Sequence, residues 1–260
     1  KFKNEKKFYF VVLNIIFCAT SSYISPNFSV FAIYYFYKFW KYYGINNKRL
    51  YLIFLLNILL SLPAFYYIFV FDINFLLKSA SPGFQNNNIL FLNYLNQLII
   101  IPSIIFFYIF PFLFTKILNL KNKINIKILL GSFIIFIFCF IFFNYKLEFT
   151  GGGIFFKFSN YFFGNNILFF AVGIISIILV FNIIYLDLNN FFLLFLLILS
   201  NPQITIYHKY YDPFLIILFF SLFDFNVRME NYKKNTNIIF IYSYFICFLI
   251  SNLYKYLWKI

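Results

Sequence analysis

Long apolar runs separated by short polar islands are the feature of this sequence that most limits its fold. A bilayer core of ~30 Å requires about 20 apolar residues in a helix that rises ~1.5 Å per residue. Runs of this size recur along the chain, and only 11% of the residues are charged, against roughly 25% in soluble proteins. The sequence therefore predicts an all-α, polytopic transmembrane helix bundle, embedded in a lipid bilayer as a single domain over residues 1–260.

Cutting the chain at its polar islands gives about nine spans. The chain starts at Lys1 and its single Met is Met229, so we expect a processed product or a piece that lacks N-terminal spans of a longer protein. The nine predicted spans cover residues 8–24, 28–43, 50–71, 89–114, 128–143, 167–186, 191–207, 211–225 and 238–257.

The distribution of Lys and Arg gives an orientation, because basic residues in short loops stay on the cytoplasmic side. With the N-terminus in the cytoplasm, 15 of the 21 basic residues fall in cytoplasmic segments and six in outer ones. The net charge of +14 is then a signal of topology. A secretory signal at residues 1–24 is the alternative for the N-terminus, but no A-x-A cleavage site follows it.

Two stretches need a choice between one span and a hairpin. Merging 8–43 into one helix would place ten basic residues inside and 11 outside, so a hairpin that turns near Pro26 is predicted there. Merging 191–225 would bury Lys209 and Asp212 at ~2.5–3.5 kcal/mol each. The cost of burial favours a second hairpin with two short arms.

Several chemistries are excluded. One His cannot nucleate a metal cluster, no P-loop or GxGxxG occurs, and the three Cys lie inside apolar runs without paired spacing. The basic residues are spread over loop ends and are not gathered on a domain, which argues against nucleic-acid binding. We therefore predict no metal, no cofactor and no nucleic-acid partner.

The strongest local signal is the predicted outer turn 201–213, between two arms so short that the turn should dip to membrane depth. Polar groups at that depth are candidate functional residues. In the functional interpretation they bind a phosphate and a sugar. In the structural interpretation Lys209 and Asp212 close an exposed turn and the tyrosines lie in the interfacial aromatic belt. The candidate substrate-binding residues here are His208, Lys209, Tyr210, Tyr211 and Asp212.

Two further outer features are candidates. The triplet Gly151, Gly152 and Gly153 can let the backbone approach a ligand. Alternatively it is a flexible hinge before an amphipathic helix at 155–158 on the outer interface. Asp72, after the third span, is added to the candidate binding residues, although a solvated helix end is the simpler interpretation.

The chain resembles the C-terminal half of GT-C-type membrane glycosyltransferases, which take sugars from polyprenyl-phosphate donors at the outer membrane face. The resemblance is spread over most of the chain and implies that His208 and Lys209 contact lipid phosphate or sugar. In that family the catalytic carboxylates lie in the first outer loop, and the turn 21–27 has none, so the base is expected outside this piece. The features that carry the resemblance are Ser25-Pro26, Leu62-Pro63-Ala64 and Tyr207-His208-Lys209-Tyr210-Tyr211-Asp212-Pro213.

The resemblance implies sugar transfer from a lipid-linked donor to a lipid-linked or protein acceptor. The lack of Cys pairs and the composition, which favours residues with AT-rich codons, indicate a bacterial inner (plasma) membrane. A transporter or flippase for lipid-linked saccharides is the alternative, and a polysaccharide polymerase or ligase is a third possibility. A transporter is expected to carry broken helices at matching positions of two halves, and Pro63, Pro102 and Pro111 do not pair in that way.

Overall fold

The computed structural model describes residues 8–23, 29–70, 90–118, 126–146, 151–199, 206 and 229–257. Of these residues 87% are helical and none forms a strand, so the all-α prediction is confirmed for this part of the chain. The helices are α1 (Phe8–Ser22), α2 (Ser29–Tyr43), α3 (Lys48–Val70), α4 (Leu90–Phe114), α5 (Ile126–Ile141), α6 (Gly153–Phe163), α7 (Ile167–Leu186), α8 (Leu188–Leu199), α9 (Met229–Tyr232) and α10 (Asn235–Leu257).

The protein is a helical membrane protein. Within the described residues, three segments are long and apolar enough to cross a bilayer, namely Lys48–Tyr66, Tyr94–Phe114 and Ile167–Ile184 in α3, α4 and α7. Shorter apolar helices accompany them. Large apolar side chains point outward along the described helices, as expected when lipid is the solvent; Phe69 is 77% exposed and Ile134 is 68% exposed.

Most helix bounds follow the predicted apolar runs. α1 and α2 are separate helices, and Phe8 at the start of α1 contacts Phe39 near the end of α2, so the two helices pack antiparallel, as the predicted hairpin requires. The predicted turn near Pro26 lies outside the described residues. The seventh predicted span, 191–207, is wrong at both ends. α8 begins at Leu188 and ends at Leu199, and Ile206 is not helical. The eighth predicted span, 211–225, lies outside the described residues.

The break between α7 and α8 has a local cause. Asp187 has extended backbone angles, and its carboxylate accepts the Asn189 N–H at 3.0 Å, which caps the start of α8. The Asn190 side-chain amide donates to the Ile183 carbonyl oxygen at 3.0 Å and satisfies the end of α7. Both helix ends are therefore closed by side chains, although the apolar run continues on either side.

The buried residues form two cores. A small core joins α1, α2 and α3 through Val11, Ile15, Phe39, Leu50 and Ile53. A larger core is built mainly on α4, α7 and α8. Helix α2 packs on α8, where the rings of Tyr37 and Phe192 lie 4.5 Å apart.

Contacts between helices give each a direction within the bundle. The Asn237 and Asn231 side chains donate to Thr115 and Lys116 carbonyls, so α10 begins where α4 ends. Asn96 pairs with Asn144, so α5 ends where α4 begins. Eight of the eleven described basic residues thereby lie at one end, here called the basic end. They are Lys38, Lys41, Lys48, Arg49, Lys116, Lys127, Lys233 and Lys234.

Candidate functional site: a re-entrant segment

After α5 the chain turns back into the bundle instead of leaving it. The Asn96 side-chain amide donates to Asn144 Oδ1 at 2.6 Å, and the Asn144 N–H donates to Asn96 Oδ1 at 3.2 Å. Asn96 is only 2% exposed. The following residue, Tyr145, is 4% exposed. The exposed Asn144 satisfies the buried amide of Asn96, and the pair holds the turn that directs the chain inward.

The Gly triplet is the deepest part of this turn. Gly151, Gly152 and Gly153 have φ values of 123°, 80° and 83°, which L-residues adopt only at a cost. All three are buried. A Cβ at Gly152 would lie 2.6 Å from the Phe156 ring and 2.8 Å from the Tyr145 ring. The hinge interpretation of the triplet is therefore wrong, because close packing holds it.

The depth of Gly153 is fixed by α4. A Cβ at Gly153 would lie 3.3 Å from Ile104, 3.6 Å from the Ser103 hydroxyl and 3.7 Å from Ile100. These residues lie at the middle of the candidate span Tyr94–Phe114. Helix α6 thus starts at the middle of that span. We call residues 151–163 the re-entrant segment.

The re-entrant segment meets the predicted turn 201–213 at Ile206. The Gly152 N–H donates to the Ile206 carbonyl oxygen at 2.9 Å, and the Ile206 N–H donates to the Tyr145 hydroxyl at 3.2 Å. A Cβ at Gly151 would overlap the same carbonyl oxygen. Ile206 is 1% exposed. Non-helical backbone at this depth requires partners within the protein, and the triplet and Tyr145 supply them.

Helix α6 leads from this point back to the start of α7. Its buried face carries Phe156 and Ser159, and the Phe156 ring packs on Phe169 at 5.3 Å. The Ser159 hydroxyl donates to the Asn165 carbonyl at 2.6 Å and accepts the Phe169 N–H at 3.2 Å. These bonds fix α6 against the first turn of α7. The amphipathic helix expected at 155–158 is therefore present, but it starts inside the bundle and does not lie flat on its surface.

The re-entrant segment also carries a cation. Lys157 is half-buried on α6, one turn or about 6 Å along the helix from Gly153. The positive end of the α6 dipole lies at Gly153. A Lys on a helix whose N-terminus points into the bundle favours a negatively charged group nearby, such as a phosphate.

The residues predicted to bind substrate, namely His208, Lys209, Tyr210, Tyr211, Asp212 and Asp72, lie outside the described residues. Their role stays a prediction. The structure does bring together two regions that are separate in the sequence, since Ile206 of the turn 201–213 is hydrogen-bonded to Gly152 of the Gly triplet.

Sequence reasoning missed Tyr145 and the Asn96–Asn144 pair. Nothing local marks Tyr145 among the 23 tyrosines of the chain. A signal for Asn96 was present, because Asn96 and Gln97 interrupt the apolar run 89–114. Both are buried, and polar residues inside a span face the protein interior by preference.

Comparison of the chain with known proteins found no relative. No family model, curated protein or solved structure matches the chain.

Proposed function

We propose that the protein is a multi-pass glycosyltransferase of the inner (plasma) membrane, which moves a sugar from a polyprenyl-phosphate donor to a lipid-linked or protein acceptor at the outer face. The N-terminus lies in the cytoplasm and the nine spans of the sequence carry the chain across. The basic end then faces the cytoplasm, and the Asn96–Asn144 end faces outward.

One observation supports this function above the others. The Gly152 to Ile206 hydrogen bond joins the re-entrant segment to the turn that carries His208 and Lys209. Lys209 follows Ile206 by three residues, so the covalent chain keeps its Cα within about 11 Å of the Ile206 Cα. A half-buried Lys157 and the N-terminus of α6 lie in the same region, where a donor phosphate at membrane depth needs positive charge.

In the proposed reaction, groups of this region assist a substitution at C1 of the donor sugar. The donor C1–O bond to phosphate breaks, and a new bond forms between C1 and the acceptor oxygen. The acceptor proton passes to a carboxylate base. Lys157 and Lys209 stabilise the polyprenyl phosphate that leaves. The described residues at the Asn96–Asn144 end include no carboxylate, and the resemblance to GT-C enzymes implies that the base lies on an outer loop.

Donor turnover in membranes that contain the full protein tests this function. A panel of labelled polyprenyl-phosphate hexoses and pentoses is supplied, and released polyprenyl phosphate is measured. Lys209→Ala and Lys157→Gln are expected to lower turnover at least tenfold, because each removes a charge that stabilises the leaving phosphate. The matched control is Lys234→Gln, which removes an exposed cation at the basic end and should leave turnover unchanged.

Two results would count against the proposal. Turnover that survives Lys209→Ala removes the phosphate-binding role of the turn 201–213. Wild-type membranes that release no polyprenyl phosphate from any donor remove the transferase function itself.

A flippase for lipid-linked saccharides is the second candidate, favoured by the start of α6 at the middle of a candidate span. Helices that begin at mid-membrane direct their N-termini toward anionic substrate groups in transporters. A fluorescent lipid-linked saccharide in proteoliposomes separates the two functions. Movement across the bilayer without chemical change supports the flippase, and loss of the sugar from its lipid supports the transferase.

A further inference from the structure

The turn between α2 and α3 gathers exposed positive charge at the basic end. Lys41 lies in the last turn of α2, and Lys48 and Arg49 open α3. Asn47 caps α3 by accepting the Arg49 N–H at 3.0 Å. Two cations in the first turn of a helix oppose its dipole, so this arrangement is more stable when a negative group lies beside it.

Arg49 is held in place by aromatic rings. Its guanidinium carbon lies 5.7 Å from the ring centroid of Phe8 and 6.0 Å from that of Tyr43. Tyr43 in turn stacks on Phe39 at 4.4 Å. These contacts fix the guanidinium while its side chain stays exposed. A fixed guanidinium can donate two parallel hydrogen bonds to a phosphate.

Among the described residues, no acidic side chain neutralises the cluster. Residues 8–70, which contain α1, α2 and α3, include no Asp or Glu. Among the described residues, Asp187 and Glu230 are the acidic ones, and neither forms an ion pair with Lys41, Lys48 or Arg49 in this part of the structure. A partner with an anionic group would supply the charge complement that the described residues lack.

The surface beside the cluster is apolar. Only 11% of the candidate span Lys48–Tyr66 is buried. Tyr51, Leu52, Leu55 and Leu59 of α3 are each more than half exposed. A partner that fits both parts has an anionic head at the turn and a hydrocarbon tail along α3. A second copy of this chain fits poorly, since it would bring another basic surface to the same end.

We propose that the α2–α3 turn is a binding site for an anionic phospholipid, whose headgroup phosphate contacts Arg49, Lys41 and Lys48 and whose acyl chains lie along α3. Cations near an anionic lipid surface strengthen binding by about fivefold each. The site binds a structural lipid of the cytoplasmic leaflet and takes no part in the sugar-transfer chemistry.

Native mass spectrometry of the full chain in a neutral detergent measures this binding directly. Three additions are compared: palmitoyl-oleoyl-phosphatidylglycerol, palmitoyl-oleoyl-phosphatidylcholine and inorganic phosphate. The phosphatidylglycerol complex is expected to have a dissociation constant at least tenfold lower than the phosphatidylcholine complex. Arg49→Gln should weaken the phosphatidylglycerol complex about fivefold. The control is Lys146→Gln, which removes an exposed cation that follows α5 at the Asn96–Asn144 end of the bundle. It should leave the dissociation constant of the phosphatidylglycerol complex within twofold of the wild-type value.

Arg49→Lys separates the charge of Arg49 from its geometry. It keeps the charge but loses the planar guanidinium. Its dissociation constant for phosphatidylglycerol should therefore lie between those of wild type and Arg49→Gln. It also serves as the test if Arg49→Gln does not fold. Equal binding of the two lipids overturns the proposal, as does equal weakening by Lys146→Gln. If inorganic phosphate displaces phosphatidylglycerol completely, the cluster is a binding site for soluble phosphate and the lipid proposal is wrong.

Discussion

Substitution of Gly151 by Ala tests how firmly the re-entrant segment is held. The φ of 123° at Gly151 lies outside the left-handed region that L-residues tolerate. A Cβ there would overlap the Ile206 carbonyl oxygen. Because that atom belongs to buried backbone, a side-chain rotation cannot relieve the overlap. The segment around Ile206 must move away, and the Gly152 to Ile206 hydrogen bond is lost.

Gly164 and Gly131 provide reference values for the free-energy cost of a glycine-to-alanine substitution in this chain. Gly164 has a φ of 63° and nothing within 4 Å of its added Cβ, so Gly164→Ala carries only left-handed strain of about 1–2 kcal/mol. Gly131 lies inside α5 with open space around it, and Gly131→Ala should stabilise the helix by about 0.5–1 kcal/mol. Gly151→Ala adds a broken buried hydrogen bond, about 1–3 kcal/mol beyond the cost of Gly164→Ala.

The assay is equilibrium unfolding of the full chain in mixed micelles, followed by far-ultraviolet circular dichroism. The expected order of unfolding free energies is Gly131→Ala above wild type, then Gly164→Ala, then Gly151→Ala. A Gly151→Ala protein as stable as Gly164→Ala would contradict this prediction, since it would mean that Ile206 does not contact the triplet closely.

Two other substitutions test single contacts. Tyr145→Phe removes the acceptor of the buried Ile206 N–H and should lower the free energy of unfolding by about 1–3 kcal/mol; a loss below about 0.5 kcal/mol would mean that another group accepts this N–H. Asp187→Ala removes the cap of α8 and should cost about 1 kcal/mol, whereas Asp187→Asn keeps a capping oxygen and should cost less. Equal losses in the two Asp187 variants would assign the effect to charge.

The positions of most helices could be predicted because a bilayer sets one length scale for every span. The predicted span 167–186 has the bounds of α7, and 89–114 differs from α4 by one residue. The break at Asp187 was also visible, since Asp187, Asn189 and Asn190 lie close together within an apolar stretch. Pro202 argued against a helix that continues to residue 207, because proline disfavours helix in the residue before it, and Ile206 is not helical.

The depth of α6 could not be read from the sequence. Its residues have the aromatic and polar mixture of an interfacial helix, and that composition suits both a surface and a re-entrant position. The choice depends on Gly153 against Ser103 and on Gly152 against Ile206, contacts between residues about 50 positions apart in the chain. Hydrophobic periodicity reports the environment of one helix, whereas this depth depends on which other segments meet it.

The division of the interior into two cores bears on how the protein moves. Helices α1, α2 and α3 share a core of their own. They meet the larger core through Cys18 of α1 and through Phe31 and Tyr34 of α2, which are buried in it. A small rotation of this three-helix unit about that contact would leave the Tyr145 to Ile206 bond intact. It would carry Arg49 up or down relative to the membrane surface. A change in the thickness or charge of the surrounding bilayer would then displace the unit of α1, α2 and α3, while the re-entrant segment stays fixed against the larger core.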